Sequence, residues 1–477
     1  MRPGEALRVV LRSGSGRLGI GLLAVLVFVS LLVPFFYPLD FGLRFWNNPI
    51  AWADNPKAAP PAWTNLVGDQ APRHRVFDAE SPSQTVETGP ATTRLYSFTF
   101  DHDSETPPTF LSVSVGEVSF YDRPPVISMS LARPDGLTAT ILQEVVRGQR
   151  PDETPPVSRF ADEPRRIFLS GDTNALTAAT DFLLQEFGLR LSEAEIQGNL
   201  EAALFGTPTS SDAPEFEPLT GEYTATIRVI TYDSRDAVES VRFVAAGGVF
   251  GLMGTDTQGR NLATGLMFGF PVALIIGIST SVAATILGTF FGILSGFSGG
   301  RTDTIIQRVS DVMTNIPLLP ILIFLIFVLG QKLWLVMTIL VIFGWPGLTI
   351  ILRSMVLQVR SGQLVEATQA LGASRWRIMF RHVFFQMAPF IVAQMIFFTP
   401  AAILAEAGLS FLGLGDPSLP TWGQILEQGF RTGAIFIGYW WWILPPGILI
   451  VITAMTFVLL ALAMEPVLNP RLRETAA

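Results

Sequence analysis

The sequence predicts an all-α polytopic membrane domain of six transmembrane helices, with a large α+β domain inserted between the first helix and the second. Three observations carry this expectation. Of the 477 residues, 49% are hydrophobic and only 15% are charged, with a mean hydropathy of +0.43. Apolar stretches at about 18–36, 270–294, 316–329, 333–352, 388–411 and 435–462 come close to the roughly 20 residues that cross a bilayer as helix. Acidic residues are segregated: positions 39–259 hold 31 of the 40 Asp and Glu against 16 Lys and Arg, so the rest is basic, with 9 acids and 16 bases. The chain divides into an N-terminal tail with the first helix (1–37), the insert (38–249), the membrane core (250–466) and a C-terminal tail (467–477).

Taking the elements in order, Arg2, Arg8, Arg12 and Arg17 precede the first apolar run in the manner of a signal peptide. The run is too long for one and no small-x-small cleavage site follows, so it reads as an uncleaved anchor. Arg301 and Arg308 follow the second span, five arginines lie between Arg353 and Arg381, and Arg471 and Arg473 close the chain. The opposing short loops hold only Lys332 and Arg431. Six spans with both termini in the cytoplasm, in a cell membrane, satisfy every one of these positions and place 38–249 outside. Positions 261–300 carry no charge and exceed one span, and Phe270-Pro271 is expected to divide them into an interfacial helix and a true span.

The insert is long enough to bury a core of its own. Positions 47–108, rich in Pro, Ala, Asp and Thr, read as largely irregular. Strands are expected at 94–100, 111–115, 118–121, 126–131, 166–169, 224–232 and 240–244, where Val, Phe, Ile and Ser partly alternate. A helix is expected at 173–187 with Leu176, Ala179, Phe182 and Leu183 on one face, and a second at 193–204 opened by the capping box Ser192-Glu-Ala-Glu195. Cysteine is absent, so no disulfide braces this domain. His74, and His102 among Asp101, Asp103 and Glu105, raise the question of a metal site, but no ligand spacing repeats and an acidic solvated loop is the plainer reading.

Positions 362–384, between two spans, are too polar for membrane and too patterned for linker. Leu364, Ala367, Thr368 and Leu371 fall at i, i+3, i+4 and i+7, so a short helix presents one apolar stripe. Gly372 stops it, since glycine accepts the left-handed cap. Ser374 caps a second helix with Trp376, Met379, Phe380 and Val383 as its stripe, flanked by Arg375, Arg377 and Arg381. A helix-turn-helix with apolar ridges and no catalytic groups suggests a docking knob.

Glu366-Ala367-x-x-x-Leu371-Gly372 resembles the cytoplasmic EAA loop of ABC importer permeases, which engages an ATPase subunit. The stretch 254–260 (Gly-Thr-Asp-Thr-Gln-Gly-Arg), Gly344-Trp-Pro-Gly347, and 406–415 (Glu-Ala-Gly-Leu-Ser-Phe-Leu-Gly-Leu-Gly) narrow the resemblance to the dipeptide/oligopeptide/nickel permease family, over roughly 18–36 and 250–473. The resemblance implies a type I ABC importer permease fold and an ATP-driven transport function. Leu364, Glu366, Ala367, Leu371, Gly372 and Arg375 would couple to the ATPase; Gly254, Asp256, Gly259, Arg260, Glu406 and Gly415 would be structural. The implied partners are ABC ATPase subunits, a second homologous permease, an extracellular or periplasmic substrate-binding protein and the lipid bilayer, with no nucleic acid. This sequence departs from the pattern at Asn261 (usually Asp), Thr368 (an Ala) and Phe385 (commonly Pro), so entry into the fifth span is expected to be less kinked. The family usually has a short connection where this chain has its insert. That insert either helps receive a binding protein or partner permease, or simply shields the outer face.

No G-x-x-x-x-G-K-[ST] stretch occurs, and the two lysines, Lys57 and Lys332, lie outside glycine-rich loops. This chain is therefore not expected to bind ATP or Mg²⁺ itself; both belong to the partner ATPase. Gly296-x-Ser298-x-Gly300 matches a serine-hydrolase pattern and suggests a rhomboid-like protease as an alternative. The one histidine of the membrane half, His382, sits on the arginine-rich loop, where it does not serve as the required base. A membrane-anchored receptor is the other alternative. Glu406, a carboxylate in an apolar stretch, either bonds the 408–415 turn or contacts cargo. The sequence identifies no substrate-binding, metal-binding or catalytic residue.

Overall fold

The computed structural model describes residues 10–38, 40–68, 70–89, 91–210 and 214–468. Arg2, Arg8, Arg471 and Arg473 of the orientation argument lie outside them. The chain forms two compact units, one Pro49–Leu262 and the other built from the residues up to Asn48 and from Ala263 onward. The composition shift had set the insert at 38–249, so the 254–260 turn falls in the inserted unit rather than in the membrane core.

The inserted unit is α+β, built on two antiparallel sheets. One runs in the order Gln84–Thr88, Ala91–His102, Gly221–Thr231, Val126–Ala132, Thr138–Val145. The other runs Arg75–Ala79, Val241–Ala246, Phe110–Val115, Arg165–Phe168. Side chains alternate along the central pair of the first sheet, so Tyr96, Phe98 and Phe100 share a buried face with Tyr223, Ala225, Ile227 and Val229. Phe98 stacks on Phe243 of the second sheet with centroids 6.3 Å apart, which makes one core of the two inner faces.

Thr173–Phe187 is a helix with the expected face buried. Asp172 caps its start by accepting from Ala175 N, and Gly188 at φ 68° ends it. The capping box at Ser192 and Glu195 forms, but the expected helix 193–204 is two short pieces, Glu193–Gln197 and Leu200–Leu204, interrupted at Gly198 and Asn199. Positions 47–108 are not irregular throughout. They supply Arg75–Ala79, Gln84–Thr88 and all of Ala91–His102, because register with neighbouring strands outweighs a Pro- and Thr-rich composition.

Among the described residues, the membrane unit contains five helices long and apolar enough to cross a bilayer, or six crossings if one bent pair counts as a span. The first is Gly14–Phe36. The second, Leu262–Ser298, is one continuous 37-residue helix, so the expected division at Phe270-Pro271 does not occur and Pro271 is accommodated in its interior. The third expected span, 316–329, forms as the helix Leu318–Leu329, and Gly300–Asn315 meets its start at 82°. Pro317 disfavours helical dihedrals at the residue before it, and Ile316 is accordingly extended at ψ 125°. Leu318–Leu329 rises only about 18 Å, short of a hydrocarbon core of about 30 Å. The fourth, Leu333–Arg360, starts where expected and continues past 352. The fifth is helical without a break from Arg375 to Phe411, with a π-turn at Met379–Val383 just before Phe385. The last begins at Trp440 rather than 435, because Gly438, at positive φ, separates Ala434–Ile437 from Trp440–Leu468.

Candidate functional site

The elbow at 362–384 is a helix, a turn and the start of the fifth span. Gln363–Ala370 is helical and Gly372 adopts φ 80°, the left-handed conformation the sequence assigned it. Ser374 Oγ accepts from Arg377 N and opens Arg375–Ile378, which passes through a π-turn, Met379–Val383, into Phe384–Phe411. Thr368 Oγ1 donates to the Leu364 carbonyl, so the threonine in place of alanine satisfies its hydroxyl within the helix.

The two stripes do not behave as single faces. Val365, Ile378, Met379 and Val383 turn inward and pack on Ile293, Phe297, Leu352 and Val356. Leu364, Leu371, Trp376 and Phe380 are exposed, Leu371 at 87%, and the rings of Trp376 and Phe380 stack at 5.6 Å and 5°. Met379 and Val383 therefore leave the outward ridge that the sequence assigned them. Glu366, Ala367 and Arg375 are exposed beside that ridge. Exposed leucines and aromatics are thus held on a buried platform.

The platform is a close helix pair. A Cβ on Gly288, Gly292 or Gly296 would lie 2.9, 2.7 or 2.8 Å from atoms of Leu333–Arg360, so the missing side chains let the backbones approach. Thr349 Oγ1 donates to the Gly288 carbonyl at 3.1 Å. At the end of this pair Arg353 donates from Nε and Nη2 to both oxygens of Asp303, at 2.5 and 2.6 Å. Ser295 also donates to Asp303, and Gln307 to Ser295. Sequence reasoning missed both features, although Gly-x-x-x-Gly-x-x-x-Gly was visible and Asp303 is one of few acids in this half.

Glu406 is buried and accepts from Ser410 Oγ at 2.6 Å. Gly415 lies against the same serine and against Gln424, so close that a Cβ there would stand 2.1 Å from Ser410 Oγ. The Glu406–Ser410 bond, i to i+4, lies within the last turns of the fifth helix, Phe384–Phe411, just before the glycine-rich turn. Asp256 and Arg260 form a buried ion pair at 2.5 Å, and Asp256 Oδ1 also accepts from Gln258 N and Arg260 N. Gly259 is at φ 80°, with Asn55 Nδ2 donating to its carbonyl; Gly254, at φ 72°, accepts at its carbonyl from Leu262 N. Ser298 is the last residue of the second span, which ends at Gly299 and Gly300, both at positive φ. His102 packs edge-on against Phe205 at 4.9 Å and His74 lies against Phe250, so both imidazoles belong to packed surroundings rather than to a solvated loop.

Residues 288–474 match the family described as binding-protein-dependent transport system inner membrane component. The chain is 33% identical over 221 residues to the dipeptide transport system permease protein DppC of Bacillus subtilis, covering 46% of this chain and 68% of that one. It is 34% identical over 222 residues to the oligopeptide transport system permease protein OppC of the same organism, covering 46% and 72%. A putative peptide transport system permease protein of Brucella suis is 37% identical over 227 residues, covering 47% and 75%. These relatives favour neither the protease nor the receptor reading. The helical membrane unit and these matches lead to one conclusion: the chain belongs to the binding-protein-dependent transport system inner membrane component family, as a multi-pass permease and not itself an enzyme.

Proposed function

We propose that the chain is one of two permease subunits of an ATP-driven importer for peptides or similar small solutes. The reading holds both termini in the cytoplasm and the Pro49–Leu262 unit outside. A separate ATPase pair binds ATP and Mg²⁺ and grips the elbow through Leu364, Glu366, Ala367, Leu371 and Arg375, with Gly372 setting the turn between the two helices. A second, homologous permease completes the path and an external binding protein delivers cargo. Gly254, Asp256, Gly259, Arg260, Glu406 and Gly415 shape turns rather than contact solute.

The observation that carries this is the exposed ridge of Leu364, Leu371, Trp376 and Phe380 on a platform packed against two spans. A surface of this kind passes motion of the ATPase to the spans, because the second half of the elbow, from Arg375, runs on into the fifth helix and the first half packs on the same cluster through Val365. Relatives named for dipeptide and oligopeptide transport support the solute class.

The absence of cysteine allows a direct test. Leu371→Cys in the assembled transporter should crosslink to the ATPase, and Leu371→Asp should abolish solute-stimulated ATP hydrolysis while leaving unfolding within about 0.5 kcal/mol of the parent, as befits an exposed position. A Leu371→Asp transporter of normal activity would refute the coupling role.

A further inference from the structure

The first and last segments of the inserted unit come together as its base. Ala58 N donates to the Asp256 carbonyl, Thr255 N to the Ala59 carbonyl, Phe250 N to the Pro60 carbonyl and Ala62 N to the Gly251 carbonyl. Thr255 Oγ1 donates to the Pro56 carbonyl and accepts from Ala59 N. The base is therefore a rigid stem of paired backbone, and the chain enters and leaves the unit there.

The stem carries an apolar tip. Leu66 and Val67 are 86% and 88% exposed, Leu252 is 66% and Trp63 43%. The indole N–H of Trp63 donates to the Leu252 carbonyl at 2.9 Å, which ties the two segments into one patch. It also means that this N–H need not be stripped of water if the patch is covered. Positions 58–68 and 250–255 include no charged residue. Scattered apolar side chains on a surface need no explanation, but these four lie on two segments tied together at one end of the unit.

We propose that this tip docks into the headgroup region of the lipid bilayer and anchors the base of the inserted unit there. The chain itself sets the distance. Leu262, the first residue of a spanning helix, donates its N–H to the Gly254 carbonyl at 3.1 Å. Leu252 is two residues from Gly254, within about 7–8 Å by chain reach. From Asn261 to Gly300 there is no charge to hold the helix start in water. The helix of 37 residues is about 55 Å long, enough to span the roughly 40–45 Å of a bilayer with its headgroups. Placed with its first turn at headgroup level, the helix holds the tip at the depth where an indole with its polar end satisfied and exposed Leu and Val side chains are favoured. A partner protein would also cover apolar surface, but it does not account for the patch lying on the segment that leads into a span.

The full transporter complex in phosphatidylethanolamine/phosphatidylglycerol nanodiscs provides the test. Single cysteines at Leu66→Cys and Leu252→Cys, with Glu87→Cys on the fully exposed strand Gln84–Thr88 as reference, carry nitroxides. Collisions with a water-soluble nickel chelate should be severalfold fewer at 66 and 252 than at 87, and collisions with oxygen severalfold more. Brominated lipid should quench the tryptophan emission of the unlabelled parent more than that of Trp63→Phe, a check independent of the cysteine variants. Equal chelate access at all three sites would overturn the proposal. So would shielding of 66 and 252 that appears only when an external binding protein is added.

Discussion

Gly292 is the tightest point between the second and fourth spans, and replacing it tests how much that pair stabilises the platform beneath the elbow. A Cβ there would stand 2.7 Å from Leu352 Cβ and 3.2 Å from the Thr349 carbonyl oxygen. Carbon atoms in favourable contact sit about 3.5–4.0 Å apart, so Gly292→Ala requires about 1 Å of separation between the helices. Leu352 Cβ is fixed to its backbone, and no side-chain rotation relieves the clash. Overpacking of this kind costs about 1–3 kcal/mol. Since Leu352 also supports Val365 and Met379 through the shared cluster, the loss should extend to the elbow. Gly347→Ala, in the facing helix with nothing within 4 Å of its added Cβ, is the control and should be neutral or slightly stabilising. The assay is reversible unfolding of the purified chain in mixed micelles, together with solute-stimulated ATP hydrolysis in the complex. Equal unfolding of the Gly292→Ala and Gly347→Ala proteins would show that the close approach contributes nothing and would defeat this account of the platform.

Three further outcomes follow from the site geometry. Glu406→Ala removes the acceptor of the Ser410 hydroxyl and should cost about 1–3 kcal/mol in the same unfolding assay, with Glu406→Gln costing less because it keeps an acceptor. Asp256→Ala strips the carboxylate from a buried guanidinium and two backbone donors, for a loss of about 3–5 kcal/mol and faster proteolysis between 250 and 262; cleavage at the parental rate would contradict it. Burial lowers His74 from 6.5 to about 4, against a smaller opposing pull from the charge of Asp54, and burial likewise lowers His102. Below pH 6.5 the unfolded chain takes up protons that the folded unit does not, so stability is full above that value and falls until about pH 4. For the partly solvated His74 this amounts to about 1–2 kcal/mol. Hydrogen exchange of the Pro49–Leu262 unit across this range should accelerate as pH falls, after correction for intrinsic rates, and His74→Asn should flatten the trend.

Hydropathy and charge segregation were sufficient for a polytopic helical chain with a folded insert, since a 20-residue apolar run has few other stable fates. Local chemistry likewise settled the helix Thr173–Phe187, the capping box at Ser192 and Glu195 and the turn at Gly372, because caps and positive φ depend on a few adjacent residues. Neighbour choice lay beyond it. Periodicity placed Trp376, Met379, Phe380 and Val383 on one stripe, and only the two spans beneath the elbow decided that Met379 and Val383 go inward while the aromatic pair stays out. The edge strands Gln84–Thr88 and Thr138–Val145 escaped notice because a strand acquires its hydrogen bonds from a partner distant in sequence. Gly288, Gly292 and Gly296 look like weak points in an isolated helix; a second helix 2.7–2.9 Å from where their side chains would begin turns them into the contact itself. The Asp303–Arg353 latch and the apolar base of the insert share that origin, each joining residues far apart in the chain, which tertiary packing alone brings together.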